Sequence, residues 1–416
     1  MLPYPLALME ELSLQSDSRI LLVVLDGIGD LPQDGETPLA AALTPNLDEL
    51  ARDSSLGLST AVLPGVTPGS GPGHLALFGY DPLVFDVARG VLSALGIGLD
   101  LGPDQVAARA NFATLADDGT ILDRRAGRIS TELNERLIES LNAEIGDIEG
   151  VSVRLYTESE YRFVVVLEAQ DLGGTVSESD PGRVGEKPLA MRSQSEAATD
   201  ERTAAVLNSF VEQTAEVLGD LREARESDPQ VNAVLLRGIG KKPSLPSMRN
   251  VFRLRPGSVA AYPMYRGVSR LVGMECLPID LSGEGERTPN KLAAYKAHAD
   301  EHDFLYFHVK QTDSYGEDGD FDGKKRQIEL FDESLPALLD WRPEVVLITG
   351  DHSTPASLKA HSWHPLPVMI WSRWGRPDGR RFTEADCRGG SLGSLRHLDL
   401  MPLAMANAQK LRKYGA

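Results

Sequence analysis

The sequence has little cysteine, no surplus of positive charge and no long apolar run. Only Cys276 and Cys387 occur among 416 residues. A chain of this length can bury a sizeable core without disulfides, so two cysteines favour a reducing, cytoplasmic setting. Lys and Arg total 42 against 61 Asp and Glu, which gives a net charge of −19. This acidic balance argues against nucleic acid as a main partner, but it does not exclude a small anion in a local pocket.

Membrane and export signals are also lacking. No segment approaches the ~20 consecutive apolar residues of a membrane span. The amino terminus has no basic leader, and Pro3 and Pro5 interrupt its short apolar run, so we expect no signal peptide. Hydrophobic residues make up 42% of the chain and charged residues 25%, as in ordinary globular proteins. We therefore expect two or three globular domains and no membrane partner; the oligomeric state stays open.

Three continuous apolar runs predict strands buried on both faces of a parallel sheet. They cover residues 20–25, 304–309 and 345–349. Each run leads directly into a polar cluster, and open α/β sheets keep their sites at the carboxyl ends of such strands. In addition, Thr44 and Pro45 predict the start of a helix, with Thr44 as its cap. Residues 64–73 are rich in glycine and proline and predict a loop that leads into a second helix.

The middle of the chain has a different pattern. Residues 151–155 and 162–167 predict strands, residues 204–218 predict a helix, and residues 177–187 predict a polar loop. We therefore predict an α/β fold in which both ends of the chain build one mostly parallel sheet sandwiched by helices. That domain would comprise residues 1–85 and 251–416, with a smaller α/β domain inserted at 86–250.

Four polar clusters follow these strands or the glycine-rich turn. Their candidate residues are Asp26, Ser70, Asp313, Asp351 and His352, with His361 nearby. Taken singly, such an aspartate usually forms a turn or a helix cap, and a lone serine or histidine is usually structural. Taken together, carboxylates and imidazoles at several strand ends suit a divalent metal. A serine at a helix start could then act as a nucleophile, so the residues indicate metal-dependent phosphoryl transfer.

Motifs along nearly the whole chain resemble one enzyme family. In chain order they are residues 25–30, 44–48, 68–70, 74–75, 79–82, 111–114, 123–128, 236–238, 308–310, 312–313, 350–355 and 413–416. On these stretches the chain resembles the archaeal-type cofactor-independent phosphoglycerate mutases of the alkaline phosphatase superfamily. The resemblance implies an alkaline-phosphatase-like metal-binding domain with an inserted substrate-binding domain. It also implies a step of glycolysis and gluconeogenesis, the interconversion of 3-phosphoglycerate and 2-phosphoglycerate.

The resemblance further implies two divalent ions, Mn or Mg with Zn as a third option, and no 2,3-bisphosphoglycerate. The implied ligands are Asp26, Ser70, Asp351 and His352 for one ion, and Asp313, Glu317 and His361 for the other. Ser70 would be the nucleophile and would pass through a phosphoserine. Glycerate would reorient without leaving, and its other hydroxyl would take the phosphoryl group back.

The implied substrate carries a carboxylate and a phosphate, so cations must face it. The candidates are Arg124, Arg125, Arg128, Arg237, Arg266 and Lys310. Arg128 and Arg237 match the family motifs best, although any one of these cations could be a solvated surface charge. His74 could contact the nucleophile or the phosphate, or it could only brace the turn. We also expect the two domains to close over the substrate, because a phosphoserine open to water would hydrolyse.

Two residues depart from the family pattern. Gly71 stands where the family usually has an acid after the nucleophile, and Glu317 stands where it usually has histidine. A carboxylate at this position would favour harder cations such as Mg or Mn. Alternatively, Asp318 or Asp320 could bind the metal, His364 could supply the imidazole, or the second site could be empty.

These departures leave two other functions open. The first is a metal-dependent phosphohydrolase or phosphotransferase acting on another small phosphomonoester, such as phosphohomoserine. The second is a non-catalytic binding protein that keeps the fold after losing a metal. The fate of the phosphate separates the enzymes, because a hydrolase releases it and a mutase retains it.

Overall fold

The computed structural model describes residues 5–281 and 288–415, which form two units. Unit 1 comprises Met1–Asp86 and Leu245–Ala416, and unit 2 comprises Val87–Ser244. Unit 2 thus ends earlier than the insertion predicted at 86–250. The reason is that the segment after Ser244 packs within unit 1, where Tyr80 Oη donates to Pro246 O at 2.7 Å and Met248 is buried.

The elements of both units follow one another along the chain. Unit 1 begins with α1 (Leu6–Leu12), β1 (Ile20–Leu25), α2 (Pro38–Ala41), α3 (Pro45–Arg52), β2 (Ser55–Thr60) and α4 (Ser70–Leu77). Unit 2 contains α5 (Arg89–Gly96), β3 (Gln105–Leu115), β4 (Ile121–Asp123), α6 (Thr131–Glu144), β5 (Asp147–Ile148), β6 (Val151–Ser159), β7 (Arg162–Glu168), α7 (Ala198–Asp220), α8 (Arg222–Arg225) and β8 (Ala233–Gly240). Unit 1 resumes with α9 (Met248–Phe252), β9 (Pro256–Val259), α10 (Pro263–Leu271), β10 (Glu275–Cys276), α11 (Thr288–His298), β11 (Phe304–Val309), α12 (Gln311–Asp318), α13 (Phe321–Leu339), β12 (Val345–Thr349), β13 (Leu366–Ser372), α14 (Glu384–Arg388), β14 (Gly393–Arg396) and α15 (His397–Asn407). Short 3₁₀ helices lie at Ala126–Arg128 and Ala299–Glu301.

Unit 1 is built on an eight-stranded, mostly parallel sheet in the order β10-β9-β11-β1-β12-β13-β2-β14. Only β13 runs antiparallel to its neighbours. Every residue of β1, β11 and β12 is buried, as the apolar runs predict for strands covered on both faces. The register pairs Val24 of β1 with His308 of β11 and with Thr349 of β12. The three strands therefore end at the same edge of the sheet.

One face of this sheet packs on α3 and α13. Leu21, Val23 and Leu25 alternate onto that face, where they share a core with Ile328 and Phe331 of α13. Thr44 precedes α3 as predicted, but its side chain makes no capping hydrogen bond. The carboxylate of Asp332 in α13 instead accepts from the backbone amides of Asn46 and Leu47. The prediction that the Thr44 side chain caps α3 is therefore wrong, because Asp332, which is distant in the sequence, accepts the hydrogen bonds of these first amides.

Unit 2 is built on an antiparallel sheet in the order β4-β3-β7-β6-β5, and β8, outside this order, also pairs with β3. Helices α6 and α7 contribute Leu137, Leu141 and Phe210 to its core. The strands predicted at 151–155 and 162–167 and the helix predicted at 204–218 are confirmed within β6, β7 and α7. Across the described ranges of both units, no helix combines the length and apolar character that a bilayer crossing requires.

Candidate active site

The candidate metal ligands of unit 1 lie just beyond the carboxyl ends of its three central strands. Asp26 directly follows β1, Asp351 and His352 follow β12, and Asp313 lies in α12 after β11. Because β11, β1 and β12 are neighbours and parallel, residues far apart in the sequence meet at this edge. The site thus occupies the position that the strand pattern predicts.

A first group of metal-binding side chains consists of Asp26, Asp351 and His352, all fully buried, with one ligand atom from each within 4.8 Å of the others. His352 Nε2 lies 3.3 Å from Asp26 Oδ1 and 3.3 Å from Asp351 Oδ2. Ser70, the first residue of α4, places its Oγ 3.1 Å from the same His352 Nε2. The structure therefore gathers the four residues that the family resemblance gives to one ion.

A second group consists of Asp313, His352 and His361, with ligand atoms again within 4.8 Å. It differs from the set implied by the resemblance, since His352 is included and Glu317 is not. Glu317 Oε1 nevertheless lies 3.7 Å from His361 Nε2, on a side chain that is 54% exposed. The rings of His352 and His361 stack with centroids 3.6 Å apart. A small movement of the exposed Glu317 side chain would bring its carboxylate to this group.

The chemistry of the first group fits a divalent cation. Asp26 Oδ1 and Asp351 Oδ2 are buried and have no hydrogen-bond partner among the described residues, and two unneutralised carboxylates in one buried place are costly. Burial raises the pKa of Asp26 well above its ordinary value, and the negative charge of Asp351 raises it further. A bound cation would remove this penalty and satisfy both oxygens.

His352 presents a bare lone pair to the same group. Burial lowers the pKa of His352 to about 4, so its ring is neutral at neutral pH. Thr354 Oγ1 donates to Asp313 Oδ1 at 2.7 Å and lies 3.0 Å from His352 Nδ1. Because the threonine proton is directed to Asp313, its oxygen accepts from His352 Nδ1. This arrangement leaves His352 Nε2 unprotonated towards Asp26, Asp351 and Ser70, as a metal ligand must be.

His74 and Gly73 fix the position of the serine helix. His74 Nδ1 lies 2.8 Å from Ser70 O and 3.2 Å from Asp351 Oδ2, so in this structure it braces the turn and contacts the backbone of Ser70. A Cβ on Gly73 would lie 2.3 Å from Asp351 O. Only glycine therefore lets α4 approach the β12 loop this closely.

Lys324 joins two loops that carry ligands, and the sequence analysis did not identify it. Its buried ammonium donates to Gly27 O at 2.8 Å, to Thr354 O at 2.9 Å and to Asp30 Oδ2 at 2.7 Å. Gly27 follows Asp26, and Thr354 follows His352 by two positions. In the sequence Lys324 stands beside two other basic residues on a helix, where nothing distinguishes it from a surface lysine.

Two cations of unit 1, Lys310 and Arg266, were also predicted to contact substrate. Lys310 Nζ donates to Ser314 Oγ at 3.3 Å and lies over the Tyr262 ring. Arg266, on α10, has a buried Nε without a hydrogen-bond partner in the described part of the chain.

The alternative metal ligands are not in either metal group formed by the described residues. His364 Nδ1 lies 3.0 Å from Ser362 Oγ, and its ring stacks on Trp363. Asp320 caps α13 by accepting from the amide of Gly323 at 2.8 Å, and Asp318 is exposed at the end of α12.

Unit 2 has a cavity of its own, of about 140 Å³. It is lined by Arg89, Arg109, Asn111, Arg124, Arg125, Tyr161 and Arg237. Three of these arginines, at 124, 125 and 237, were predicted to contact substrate, whereas Arg128 is exposed and does not line the cavity. The sequence analysis did not identify Arg109 and Asn111. The available signal was their position as polar residues within the alanine-rich strand β3.

Acidic side chains orient the arginines of this cavity. The buried carboxylate of Asp180 accepts from Arg124 Nε at 2.9 Å and from Arg124 Nη2 at 2.7 Å. Arg237 Nε lies 3.8 Å from Asp180 Oδ2 and 3.5 Å from Glu178 Oε2. A guanidinium fixed in this way presents its remaining donors in one plane, which suits a planar or tetrahedral anion.

Comparisons with known proteins identify relatives that cover nearly the whole chain. A family model described as 2,3-bisphosphoglycerate-independent phosphoglycerate mutase matches residues 51–222. A Thermus thermophilus protein named probable 2,3-bisphosphoglycerate-independent phosphoglycerate mutase is 52% identical, over 98% of this chain and 98% of its own. A solved structure from Pyrococcus horikoshii has a TM-score of 0.82 at 30% identity, over 96% of this chain and 99% of its own. The cofactor-independent phosphoglycerate mutase from Thermoplasma acidophilum has a TM-score of 0.69 at 31% identity, over 94% and 100%.

Proposed function

We infer that this chain, which belongs to the family of 2,3-bisphosphoglycerate-independent phosphoglycerate mutases, uses Ser70 at the metal centre of unit 1 to interconvert 3-phosphoglycerate and 2-phosphoglycerate. The observation that carries the role of Ser70 is its place beside the first group. Its Oγ lies 3.1 Å from His352 Nε2, next to two buried carboxylate oxygens that lack partners among the described residues. A serine hydroxyl in such a position is activated when a divalent ion binds.

Ser70 acts as the nucleophile. Its Oγ forms a bond to phosphorus as the bond to the substrate oxygen breaks, and the phosphoserine then returns the group to the other hydroxyl of glycerate. Amides in the first turn of α4 stabilise phosphate on Ser70, and His74 braces that turn through the contact of its Nδ1 with Ser70 O at 2.8 Å. Bound divalent ions supply a lower pKa for the serine hydroxyl and neutralise phosphoryl charge.

We propose that two ions bind, Mn or Mg, with Zn as a third option. The proposed ligands are Asp26, Ser70, Asp351 and His352 for one ion, and Asp313, Glu317 and His361 for the other. Their support is the two groups of ligand atoms described above, with Ser70 Oγ 3.1 Å from His352 Nε2 and Glu317 Oε1 3.7 Å from His361 Nε2. The family name states independence from 2,3-bisphosphoglycerate, in keeping with a phosphoryl group carried by the protein itself.

We also propose that the arginine cavity of unit 2 binds an anionic group of the substrate. Its support is five arginine side chains lining one small space, three of them with acidic partners within 3.5 Å. Contacts of Arg128, Arg266 and Lys310 with substrate stay predictions. A cytoplasmic location likewise stays a prediction from the low cysteine content.

A paired assay tests the function. Protein reloaded with Mn²⁺ is given 3-phosphoglycerate, and 2-phosphoglycerate and free phosphate are followed together. We expect 2-phosphoglycerate to accumulate with little free phosphate. Free phosphate as the main product would instead show a phosphohydrolase. If metal-loaded protein yields neither product, the substrate is a different phosphomonoester.

The Glu317→Gln substitution tests whether Glu317 binds the second ion. Removing the charge should weaken Mn²⁺ binding at the site of Asp313 and His361 by about tenfold or more, since even outer-shell partners contribute this much. Isothermal titration of metal-free protein with Mn²⁺ measures the effect. Asp318→Asn, at the next position on α12, is the matched control and should bind as the wild type does. If only Asp318→Asn loses Mn²⁺ binding, Asp318 and not Glu317 is the ligand.

A further inference from the structure

Tyr265 is a buried tyrosine beside the metal centre. It lies on α10 and is 2% exposed. Its ring packs against that of His308, tilted by 32° with centroids 3.7 Å apart, and lies 5.0 Å from the ring of His74. These aromatic neighbours hold the ring in place, so the position of the Tyr265 hydroxyl is fixed as well.

The hydroxyl of Tyr265 donates to Asp26 Oδ2. The same oxygen lies 3.3 Å from His308 Nε2. The other oxygen, Asp26 Oδ1, has no hydrogen-bond partner among the described residues and lies 3.3 Å from His352 Nε2. The two oxygens of one carboxylate thus face different surroundings, one a protein donor and the other the group of metal ligands.

We propose that Tyr265 is a positioning residue whose hydroxyl fixes the Asp26 carboxylate so that Oδ1 faces the first metal ion. This inference rests on the metal centre of the proposed function. A carboxylate that follows a strand can rotate about its last bond, and an unrestrained one loses entropy when it binds metal. A donor on Oδ2 selects one rotation before the ion arrives, as partners behind metal ligands commonly do.

The packing around Tyr265 suits this role. Ser269 Oγ donates to Tyr265 O at 2.8 Å, one turn along α10. His308 stands on β11, next to β1, so the ring that supports Tyr265 is tied to the strand that ends at Asp26. The Tyr265 hydroxyl and the Asp26 carboxylate are therefore positioned by neighbouring elements of unit 1.

The Tyr265→Phe substitution tests the proposal, because it removes the hydroxyl and keeps the ring that packs against His308. Metal-free full-length protein is titrated with Mn²⁺ in a calorimeter. We expect the Kd of one ion to rise about 10- to 100-fold while the Kd of the other stays within about twofold. Tyr295→Phe is the matched control. Tyr295 is also buried in unit 1, and its hydroxyl donates to Leu338 O at 2.8 Å, so its loss should leave both Kd values unchanged.

A second measurement distinguishes positioning from participation in the reaction. At saturating Mn²⁺, Tyr265→Phe should recover the wild-type kcat and KM, because the metal then occupies its site in spite of the lower affinity. Unchanged Kd values in Tyr265→Phe would overturn the proposal, as would a kcat that stays low at saturating metal. The titration needs no turnover. A wild-type protein that binds two ions but makes no 2-phosphoglycerate would therefore refute the proposed function and leave this inference intact.

Discussion

Replacing Ser70 by alanine should lower the rate of phosphoglycerate interconversion by on the order of 10⁴-fold or more, since removal of a catalytic nucleophile typically has effects of this size. Ser70 Oγ is the hydroxyl at the start of α4 and lies 3.1 Å from His352 Nε2. Alanine leaves the phosphoryl group without an acceptor on the protein. The measurement is the rate of 2-phosphoglycerate formation, together with intact-mass analysis for a phosphorylated protein.

The matched control is Ser59→Ala. Ser59 is buried on β2 of the same unit, and its hydroxyl has no hydrogen-bond partner among the described residues. We expect this variant to keep wild-type activity and to show the added phosphoryl mass under turnover. If Ser70→Ala keeps activity within tenfold of the wild type, or still acquires the phosphoryl mass, another residue is the nucleophile.

Replacing Lys324 by methionine should reduce the free energy of unfolding of unit 1 by about 3–5 kcal/mol, because it leaves a buried carboxylate without its cation. Lys324 and Asp30 are both buried, and their charged atoms are 2.7 Å apart. Two backbone carbonyls, of Gly27 and Thr354, lose their donor as well. Urea unfolding in the presence of a chelator measures the effect without any contribution from metal.

The control for this experiment is Lys325→Met, at the next position along α13. Lys325 is only partly buried, so its replacement should change the unfolding free energy by less than about 0.5 kcal/mol. Combining Lys324→Met with Asp30→Asn should restore part of the loss, because the unpaired carboxylate is then gone. A Lys324→Met variant within about 1 kcal/mol of the wild type would show that other contacts hold the two loops.

Several features of the fold could be predicted because they depend on local patterns. The apolar runs at 20–25, 304–309 and 345–349 are strands β1, β11 and β12. Strands covered on both faces need apolar residues at every position, so they can be recognised from a run of consecutive apolar residues. The cap of α3 could not be predicted in this way. Asp332, which supplies it, is 286 positions from Asn46, and no local pattern connects the two.

The residue types of the candidate site could also be read from the sequence, since few side chains bind divalent ions. Asp26, Asp351 and His352 follow predicted strands, and the shared edge of the sheet brings them together. The sequence did not reveal that His352 belongs to both groups, or that Glu317 lies at the margin of the second. Those features depend on the directions of the side chains, and these directions are set by packing against neighbouring elements.

The strand pattern, the kinds of ligand and the family could be derived from the amino-acid sequence alone, because apolar periodicity and motif order are properties of the chain. The buried groups that hold those ligands in place could be identified only in the folded protein. Lys324 stands in a basic run, Tyr265 in an unremarkable helix and Arg109 in an alanine-rich strand. Their roles arise from close packing, since a buried donor or charge must find its partner within a few ångströms, wherever along the chain that partner lies.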